Sequence, residues 1–330
     1  MLVLPDFELV RPTTLHDALQ ALSGAPGDAM ILAGGTDLLP NLKHGLHEPR
    51  RLVSLRRVDG LRGVRETADG GLFIAAGTTL TEIARHPVVT ARYPALAEAA
   101  GLVAAPQLRN MATLGGNLCL DTRCVFYNQT RFWRGALGYC LKKEGDVCHV
   151  VSAGGRCVAA FCADTPGPLI AYGAEVDLAS VRGTRALAVK DFFRADGVAH
   201  LARTADEIVT GVRLPRPAPG LCAAYRKLRP RGAVDFPVLS VAVSAALDGS
   251  ARVESLTVVV GALGARPRLV GRVEDLARGR VLDVEATGAI AAEAHRQCRP
   301  LPNINVDPDW RREMVPRLVR EALAGLVPSR

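Results

Sequence analysis

The sequence predicts an α+β protein in which a two-part α/β domain, interrupted by a long cysteine-bearing insertion, precedes a C-terminal domain of a three-stranded antiparallel sheet with helices. In the first half, short apolar runs alternate with segments of helical periodicity. Six of the eight cysteines fall between Cys119 and Cys162. The last third carries runs rich in β-branched residues followed by helical patterns, which is typical of an α+β domain.

Composition bounds the class of protein. The 330 residues, 48% of them hydrophobic, can form a real core and about two domains of roughly 150 residues each. The net charge of +8 is scattered, which favours a solvated surface over an acidic partner, and we expect no nucleic-acid or membrane partner. Asp6 and Glu8 lie where a signal peptide needs basic and apolar residues, so the chain is predicted to be soluble and cytoplasmic.

The first subdomain is predicted over residues 1–58. Apolar residues at helical spacing behind Thr14 predict a helix over 14–22, and strands are predicted over 30–33 and 52–55. The first of these strands runs into Gly34, Gly35, Thr36 and Asp37. Paired glycines let the backbone turn sharply and bring N–H groups close to a phosphate, although an ordinary glycine turn is the alternative interpretation.

The second subdomain is predicted over residues 59–218. A strand over 72–77 and helices beginning at 80 and over 94–102 continue the alternation. A second Gly-Gly element follows in the segment 111–117, where Thr113 and Asn117 add hydrogen-bonding side chains. Two such loops in one domain favour a nucleotide-type ligand more strongly than either loop alone.

Beyond the insertion, the segment 169–178 predicts a helix end, a glycine turn and a strand. A hairpin-like turn is predicted at 182–185, a run into a helix at 189–193 and a strand at 207–214. The proline-rich segment 215–220 predicts a boundary between domains 1–218 and 219–330. Three antiparallel strands are then predicted over 223–228, 240–247 and 253–261. Two helices, one roughly over 273–276 with 283–298 and one over 310–326, are expected to cover one face.

The cysteine insertion is predicted over residues 119–162. Its four central cysteines have wide, irregular gaps and no CxxC pair, which argues against a zinc ribbon or a thioredoxin-type dithiol. In a reducing compartment such clustered thiolates favour a metal centre over disulfides, and they can converge on an iron–sulfur cluster. These central cysteines are Cys124, Cys140, Cys148 and Cys157.

Three neighbouring residues are expected to be bystanders. Cys119 alternates with leucines as in a strand, and Cys162 follows an apolar run, so both are predicted to be buried small side chains. His149 is a possible spare ligand, but we expect an exposed loop histidine there.

Four motifs together resemble the FAD-binding medium subunits of molybdenum hydroxylases, the family that includes xanthine dehydrogenase and aerobic carbon monoxide dehydrogenase. The resemblance implies a PCMH-like FAD-binding domain and a C-terminal domain of the CO dehydrogenase flavoprotein type. The motifs are Ala33 to Pro40 (AGGTDLLP), Ala112 to Asn117 (ATLGGN), Gly183-Thr184-Arg185 before Asp191-Phe192-Phe193, and Tyr225-Arg226-Lys227-Leu228 before Asp235-Phe236-Pro237.

The resemblance also implies which residues contact FAD. The two Gly-Gly loops would cradle the pyrophosphate, Asp164 would bind the adenosine ribose, and Lys227 would lie near the isoalloxazine. Asp164 is followed here by Thr-Pro-Gly-Pro-Leu169 where the family usually has Leu-Ala-Pro-Ala-Leu, so the carboxylate is kept but its support differs. The full implied set is Leu32, Ala33, Gly34, Gly35, Thr36, Asp37, Leu38, Thr113, Gly115, Gly116, Asn117, Asp164, Ile208 and Lys227.

The insertion resembles one branch of that family, the flavoprotein (beta) subunits of 4-hydroxybenzoyl-CoA reductases. Segments such as Cys124-Val-Phe-Tyr-Asn-Gln and Gly145-Asp-Val-Cys148-His-Val are similar to its loop. In that branch four cysteines bind a 4Fe-4S cluster. The resemblance therefore implies the ligand role for Cys124, Cys140, Cys148 and Cys157.

The implied function is that of an electron conduit. Reduced ferredoxin would supply electrons to the 4Fe-4S cluster and FAD, and these would pass to the 2Fe-2S clusters of a small subunit and the molybdopterin of a large subunit. There 4-hydroxybenzoyl-CoA would be dehydroxylated to benzoyl-CoA, in a complex expected to be a dimer of heterotrimers. This chain shows no catalytic triad, carboxylate pair or nucleophile motif, so no catalytic residue is predicted on it.

Three alternatives stay open at this level. In the first, the complex hydroxylates an N-heterocycle or purine. In the second, the metal only stabilises the loop of a binding subunit and passes no electrons. In the third, the loop binds zinc. The basic residues of the insertion would dock an acidic ferredoxin or form a solvated face that offsets an anionic cluster. They are Arg123, Arg131, Arg134, Lys142 and Lys143.

Overall fold

The computed structural model describes residues 3–24 and 27–326. Residues 1–2 and 327–330, the outer ends of the two predicted domains, lie outside the described residues. Within the described part of the chain the strands form three sheets. The strands are β1 (Glu8–Val10), β2 (Ala29–Leu32), β3 (Arg51–Ser54), β4 (Val64–Glu66), β5 (Leu72–Ala75), β6 (Glu175–Ser180), β7 (Gly183–Ala188), β8 (Ile208–Leu214), β9 (Leu221–Leu228), β10 (Leu239–Leu247), β11 (Val253–Gly261) and β12 (Arg268–Leu269).

Helices cover these sheets and link them. None of those in the described ranges is long and apolar enough to span a membrane. They are α1 (Leu15–Ser23), α2 (Leu38–Lys43), α3 (Leu80–Arg85), α4 (Pro87–Arg92), α5 (Pro94–Leu102), α6 (Pro106–Arg109), α7 (Leu114–Leu118), α8 (Arg131–Ala136), α9 (Pro166–Ala171), α10 (Val273–Ala277), α11 (Val284–Gln297) and α12 (Pro308–Ala324).

The first subdomain is a parallel sheet in the order β1-β3-β2, with α1 packed on it. Thr14 caps α1 by accepting a hydrogen bond from the Asp17 amide, and Ala18 and Leu22 pack into the core beside Val53. The predicted helix and strands are confirmed. Because β2 and β3 run in parallel, the loop after β2, which carries Gly34 and Gly35, leaves the sheet at the carboxyl end of its strands.

The second subdomain is an antiparallel sheet in the order β4-β5-β8-β6-β7, with α3, α5, α7 and α9 in its core. Thr79 and Glu82 form a capping box at the start of α3, so this predicted helix is confirmed. The helix expected after Val189 is wrong. The chain forms only a 3-10 turn, Val189–Asp191. Beyond it, the Gly197 amide donates to Cys157 O at 2.8 Å.

The C-terminal domain is an antiparallel sheet in the order β12-β11-β10-β9, covered by α10, α11 and α12. The three predicted strands are confirmed, and a short fourth strand extends the sheet. Asp283 and Asp307 cap α11 and α12 through their side chains. The buried face of this sheet gives the domain a core of its own.

The insertion leaves the second subdomain after α7 and returns before α9. Arg123 and Ala160 exchange two backbone hydrogen bonds of 2.7 Å, which close the loop at its base. The strand expected around Cys119 is wrong because Thr113 caps a helix there, accepting from the Gly116 amide at 3.1 Å. Cys119 therefore ends α7 and is partly buried, whereas Cys162 is buried as predicted.

Candidate functional site

The two Gly-Gly loops lie in direct contact. A Cβ built on Gly34 would stand 2.0 Å from Met111 O, so only glycine allows the first loop to approach the second. A Cβ on Gly116 would lie 4.0 Å from Ala33 Cβ, and Gly35 has a φ of +73° that other residues rarely adopt. The structure thus brings the two predicted loops together as one surface.

This surface is available to a ligand. Residues 32–38 are all half-buried, as is Gly116, while Thr113 and Gly115 are buried beneath it. A Cβ on Gly115 would stand 2.8 Å from Ala76 Cβ, so this glycine seats the second loop on the sheet. Closely packed, half-exposed backbone at two glycine turns fits a cofactor pyrophosphate.

Asp37 ends the first loop and is already paired. Its carboxylate makes an ion pair with Arg123 and accepts from the Asp121 amide at 3.3 Å and from Asn41 Nδ2 at 3.3 Å. Two of these three partners belong to the cysteine insertion. The loop predicted to hold the flavin is therefore joined to the loop predicted to hold the metal.

Three further predicted flavin residues point inward. Asn117 Oδ1 accepts from the Thr165 amide at 3.1 Å and from its hydroxyl at 2.7 Å. Asp164 accepts from the Tyr225 hydroxyl at 2.7 Å and faces the Lys227 ammonium at 3.0 Å. Burial raises the pKa of Asp164 and lowers the pKa of Lys227, because each charge has left water. The ribose and isoalloxazine roles stay predictions.

Ile208 begins β8 and has no exposed surface. It packs in the core of the first subdomain beside Val53 and Ala179. Its predicted flavin contact stays a prediction.

The four central cysteines are all closed off from solvent, with exposed fractions of 9%, 7%, 7% and 6% in chain order. Burial, together with charge repulsion from Cys157 and Cys140, raises the pKa of Cys124 to about 11. Burial likewise raises the pKa of Cys157, and charge repulsion from Cys148 and Cys140 adds to the increase. Cys124 and Cys157 also pack in one small buried cluster, together with Leu46, Tyr127 and Ala159.

Backbone amides donate hydrogen bonds to two of these sulfurs, which favours their negatively charged form. Backbone N–H groups of Phe126 and Tyr127 lower the pKa of Cys124, opposing the effect of burial. The Ala159 amide donates to Cys157 Sγ at 3.5 Å. Hydrogen bonds to thiolates are a recurrent feature of iron–sulfur sites, where they adjust the reduction potential.

The described residues do not form a site that is ready to hold a metal ion. Within residues 3–24 and 27–326, no three His, Cys, Asp or Glu side chains converge closely enough to hold one. The ligand role of Cys124, Cys140, Cys148 and Cys157 therefore stays a prediction. His149 is half-buried rather than exposed as expected, since its ring lies 5.2 Å from that of Phe126 and its Nε2 bonds to Tyr139 O.

Two of the five basic residues in the insertion, Arg134 and Lys142, are internal, so the expectation of a docking or solvated face is wrong for these two. Arg134 is 2% exposed and donates to Gln129 O at 2.5 Å and to Gly45 O at 3.1 Å, near the end of α2. Lys142 donates to Asp121 Oδ1 at 2.6 Å and lies over the Tyr127 ring. Arg123 pairs with Asp37 as described above. Acceptors inside the loop and on α2 draw these side chains inward.

Asp121 is a site residue that the sequence did not indicate. Burial works to raise the pKa of this carboxyl, but His47 and the Lys142 ammonium outweigh burial and hold the pKa far below its ordinary value. Tyr127 also donates to it, at 3.0 Å. Asp121 thus forms a network of charged side chains with His47 and Lys142 in and beside the cysteine insertion.

Asn303 is a second unpredicted residue. Its backbone oxygen accepts from the Val125 amide at 2.9 Å, and its Nδ2 donates to Val158 O at 2.7 Å. These two partners directly follow Cys124 and Cys157. Buried Arg311 on α12 holds the Asn303 side-chain oxygen at 3.3 Å. Because Asn303 and Val158 are separated by 145 positions in the sequence, no local sequence signal could reveal this contact.

Comparison with known proteins places the chain. The family model described as the FAD binding domain in molybdopterin dehydrogenase matches residues 5–217, and the CO dehydrogenase flavoprotein C-terminal domain matches residues 223–326. A putative xanthine dehydrogenase FAD-binding subunit of Escherichia coli is 26% identical over 97% of this chain and 95% of that protein. The nicotinate dehydrogenase FAD-subunit of Eubacterium barkeri is 27% identical over 88% and 86% of the two chains.

A solved structure agrees with these matches. A chain of carbon monoxide dehydrogenase from Hydrogenophaga pseudoflava superposes with a TM-score of 0.81 at 26% identity, covering 98% of both chains. The two adjoining glycine loops, the sheets that carry them and the matches along the chain lead to one conclusion: this protein belongs to the family of FAD-binding medium subunits of molybdenum hydroxylases and is an oxidoreductase subunit.

Proposed function

We propose that this chain is an electron-transfer flavoprotein subunit whose insertion holds a 4Fe-4S cluster close to FAD. The observation that carries the proposal is the burial of four cysteines in an insertion that is ion-paired to the loop predicted to hold the flavin. When bound, FAD supplies one- or two-electron chemistry and the cluster supplies one-electron chemistry.

The residues of this chain would position these groups and adjust their surroundings. The thiolates of Cys124, Cys140, Cys148 and Cys157 would hold the cluster. Buried Lys142 and the backbone amides near Cys124 would offset their negative charge. Ala33 to Asp37 and Thr113 to Asn117 would hold the FAD pyrophosphate, with Asp164 at the ribose, Lys227 near the isoalloxazine and Ile208 as a further contact.

The proposed partners follow from the family. A large molybdopterin-binding subunit and a small 2Fe-2S subunit would complete a heterotrimer, which would pair into a dimer of heterotrimers. Reduced ferredoxin is the proposed electron donor. A cytoplasmic location suits the proposal because a reducing compartment keeps the thiols free to bind metal.

For the substrate of the complex, an N-heterocycle or purine has the better support from the relatives. Xanthine and nicotinate, which two of the relatives carry in their names, are both nitrogen heterocycles. The second candidate is reductive dehydroxylation of 4-hydroxybenzoyl-CoA, and the four-cysteine insertion favours it. The two candidates differ in the direction of net electron flow through this subunit.

The cluster is tested on the complex purified without oxygen. Iron, sulfide and zinc analysis and electron paramagnetic resonance of the dithionite-reduced protein should show about four irons attributable to this subunit. Serine at any of the four ligand positions should remove or damage that cluster while FAD stays bound, and Cys119→Ser and Cys162→Ser serve as matched controls that keep the iron. Zinc alone would exclude the cluster, and a cluster that dithionite and ferredoxin cannot reduce would exclude the relay.

The substrate is tested by turnover of the same complex. Oxidation of xanthine or nicotinate with an artificial acceptor would support the hydroxylase, and reduction of 4-hydroxybenzoyl-CoA with a low-potential donor would support the reductase. Activity in neither assay would exclude both candidates.

A further inference from the structure

A carboxylate in a phosphate-binding loop creates an electrostatic problem. Asp37 lies at the end of the Ala33 to Asp37 loop, which the family uses for FAD, and its side chain is 21% exposed. An unpaired carboxylate there would repel the pyrophosphate, because like charges a few ångströms apart are strongly unfavourable in a partly buried site. A cation must therefore neutralise Asp37.

The cation comes from the insertion. Arg123 supplies the ion pair, and its backbone closes the base of the cysteine loop against Ala160. The next residue is Cys124, the first proposed ligand. One residue thus contacts the flavin loop through its side chain and fixes the cysteine loop through its backbone.

A third contact holds the Arg123 side chain in place. Its guanidinium lies 4.2 Å from the centre of the Phe236 ring, in a loop of the C-terminal domain. Its Nε is buried and has no hydrogen-bond partner within residues 3–24 and 27–326.

We infer that Arg123 is a positioning residue that couples flavin binding to the closure of the cysteine loop. It neutralises Asp37 so that the pyrophosphate can bind, and the same ion pair draws the base of the loop onto the flavin site. The inference uses flavin binding by the family and the contacts of Arg123. It does not depend on which metal the loop holds.

The test measures FAD affinity of the deflavinated complex by quenching of flavin fluorescence. Arg123→Gln should weaken binding by at least about tenfold, since removing one partner of a partly buried charge pair leaves the other unpaired. Arg123→Lys should keep most of the affinity, and Arg123→Gln with Asp37→Asn should recover most of the loss. Arg131→Gln, which removes an exposed cation of the same insertion, is the matched control and should bind FAD normally.

Hydrogen exchange of residues 124–157 gives a second readout. Added FAD should slow exchange there in the wild-type complex and have less effect in Arg123→Gln. Wild-type affinity in Arg123→Gln, or no recovery with Asp37→Asn, would overturn the inference. Absence of iron from the wild-type complex would instead count against the proposed cluster, so the two failures are distinguishable.

Discussion

Lys227 Nζ lies 3.0 Å from the carboxylate of Asp164, and the two side chains are only 1% and 2% exposed. The pair joins β9 of the C-terminal domain to the segment that leaves the cysteine insertion. Lys227 also donates to Leu102 O at 3.0 Å and Tyr225 donates to Asp164, so both charges have further polar partners. A buried pair of this kind is costly to break from one side.

Lys227→Met should therefore destabilise the protein by about 3–5 kcal/mol, because it leaves Asp164 buried without a counter-charge. Lys227→Met with Asp164→Asn should cost less than the single change. Urea unfolding of the FAD-loaded chain measures both. Arg317→Met is the control, since its pair with Glu321 is 69% and 46% exposed and should contribute about 1 kcal/mol or less. Equal costs for the single and double variants would show that the charges do not interact.

Gly34→Ala should prevent the two glycine loops from packing together. Its Cβ would meet Met111 O, a backbone atom that cannot move aside, so we expect at least about a tenfold loss of FAD affinity. FAD titration measures the effect. Gly288→Ala in α11 has no atom within 4 Å of its Cβ and should bind FAD normally and be more stable by about 0.5–1 kcal/mol. Normal FAD binding by Gly34→Ala would contradict the packed-loop geometry.

Asn303→Ala should loosen the cysteine loop from a distance. The change leaves half-buried Val158 O and one donor of Arg311 unpaired, each at a cost of about 1–3 kcal/mol. Limited proteolysis should then cut within residues 125–157 faster than in the wild type, whereas FAD affinity should stay nearly unchanged. Exposed Glu254→Ala is the control for the C-terminal domain. Unaltered proteolysis in Asn303→Ala would show that α12 does not brace the loop.

His200 should make stability depend on pH. Burial lowers the pKa of this histidine from 6.5 to about 4, and its Nε2 donates to Leu120 O at 2.9 Å. The unfolded chain binds the proton more tightly, so stability is complete above about pH 6.5 and falls by about 3 kcal/mol as pH drops toward 4. Urea unfolding across this window should show a shallower pH slope for His200→Gln. Identical slopes would mean that His200 does not titrate as described.

Local signals predicted most of the scaffold. Thr14 and Thr79 cap helices through contacts three residues away, and the β-branched run 253–261 forms its strand, because these preferences are decided within one element. The helix expected after Val189 does not form, and the chain there instead bonds to Cys157 O through the Gly197 amide, a contact made across the fold.

The same contrast holds at the site. The glycine loops and the cysteines could be found from residue type alone. The roles of Arg134 and Lys142 could not, since both look like surface cations until α2 and Asp121 supply their acceptors. Asn303 and Asp121 carry no motif at all. Their importance comes from distant neighbours.

The hydrogen-bonded bridge between Arg123 and Ala160 has a consequence for engineering. Because the insertion begins and ends at two adjacent points, it occupies the place of a short turn and could be grafted at that turn in a relative that lacks it. The graft would require more than the cysteines. It would need an aspartate in the recipient's first glycine loop and an asparagine from the C-terminal domain, since those two residues fasten the loop at its base and beside its outer cysteines.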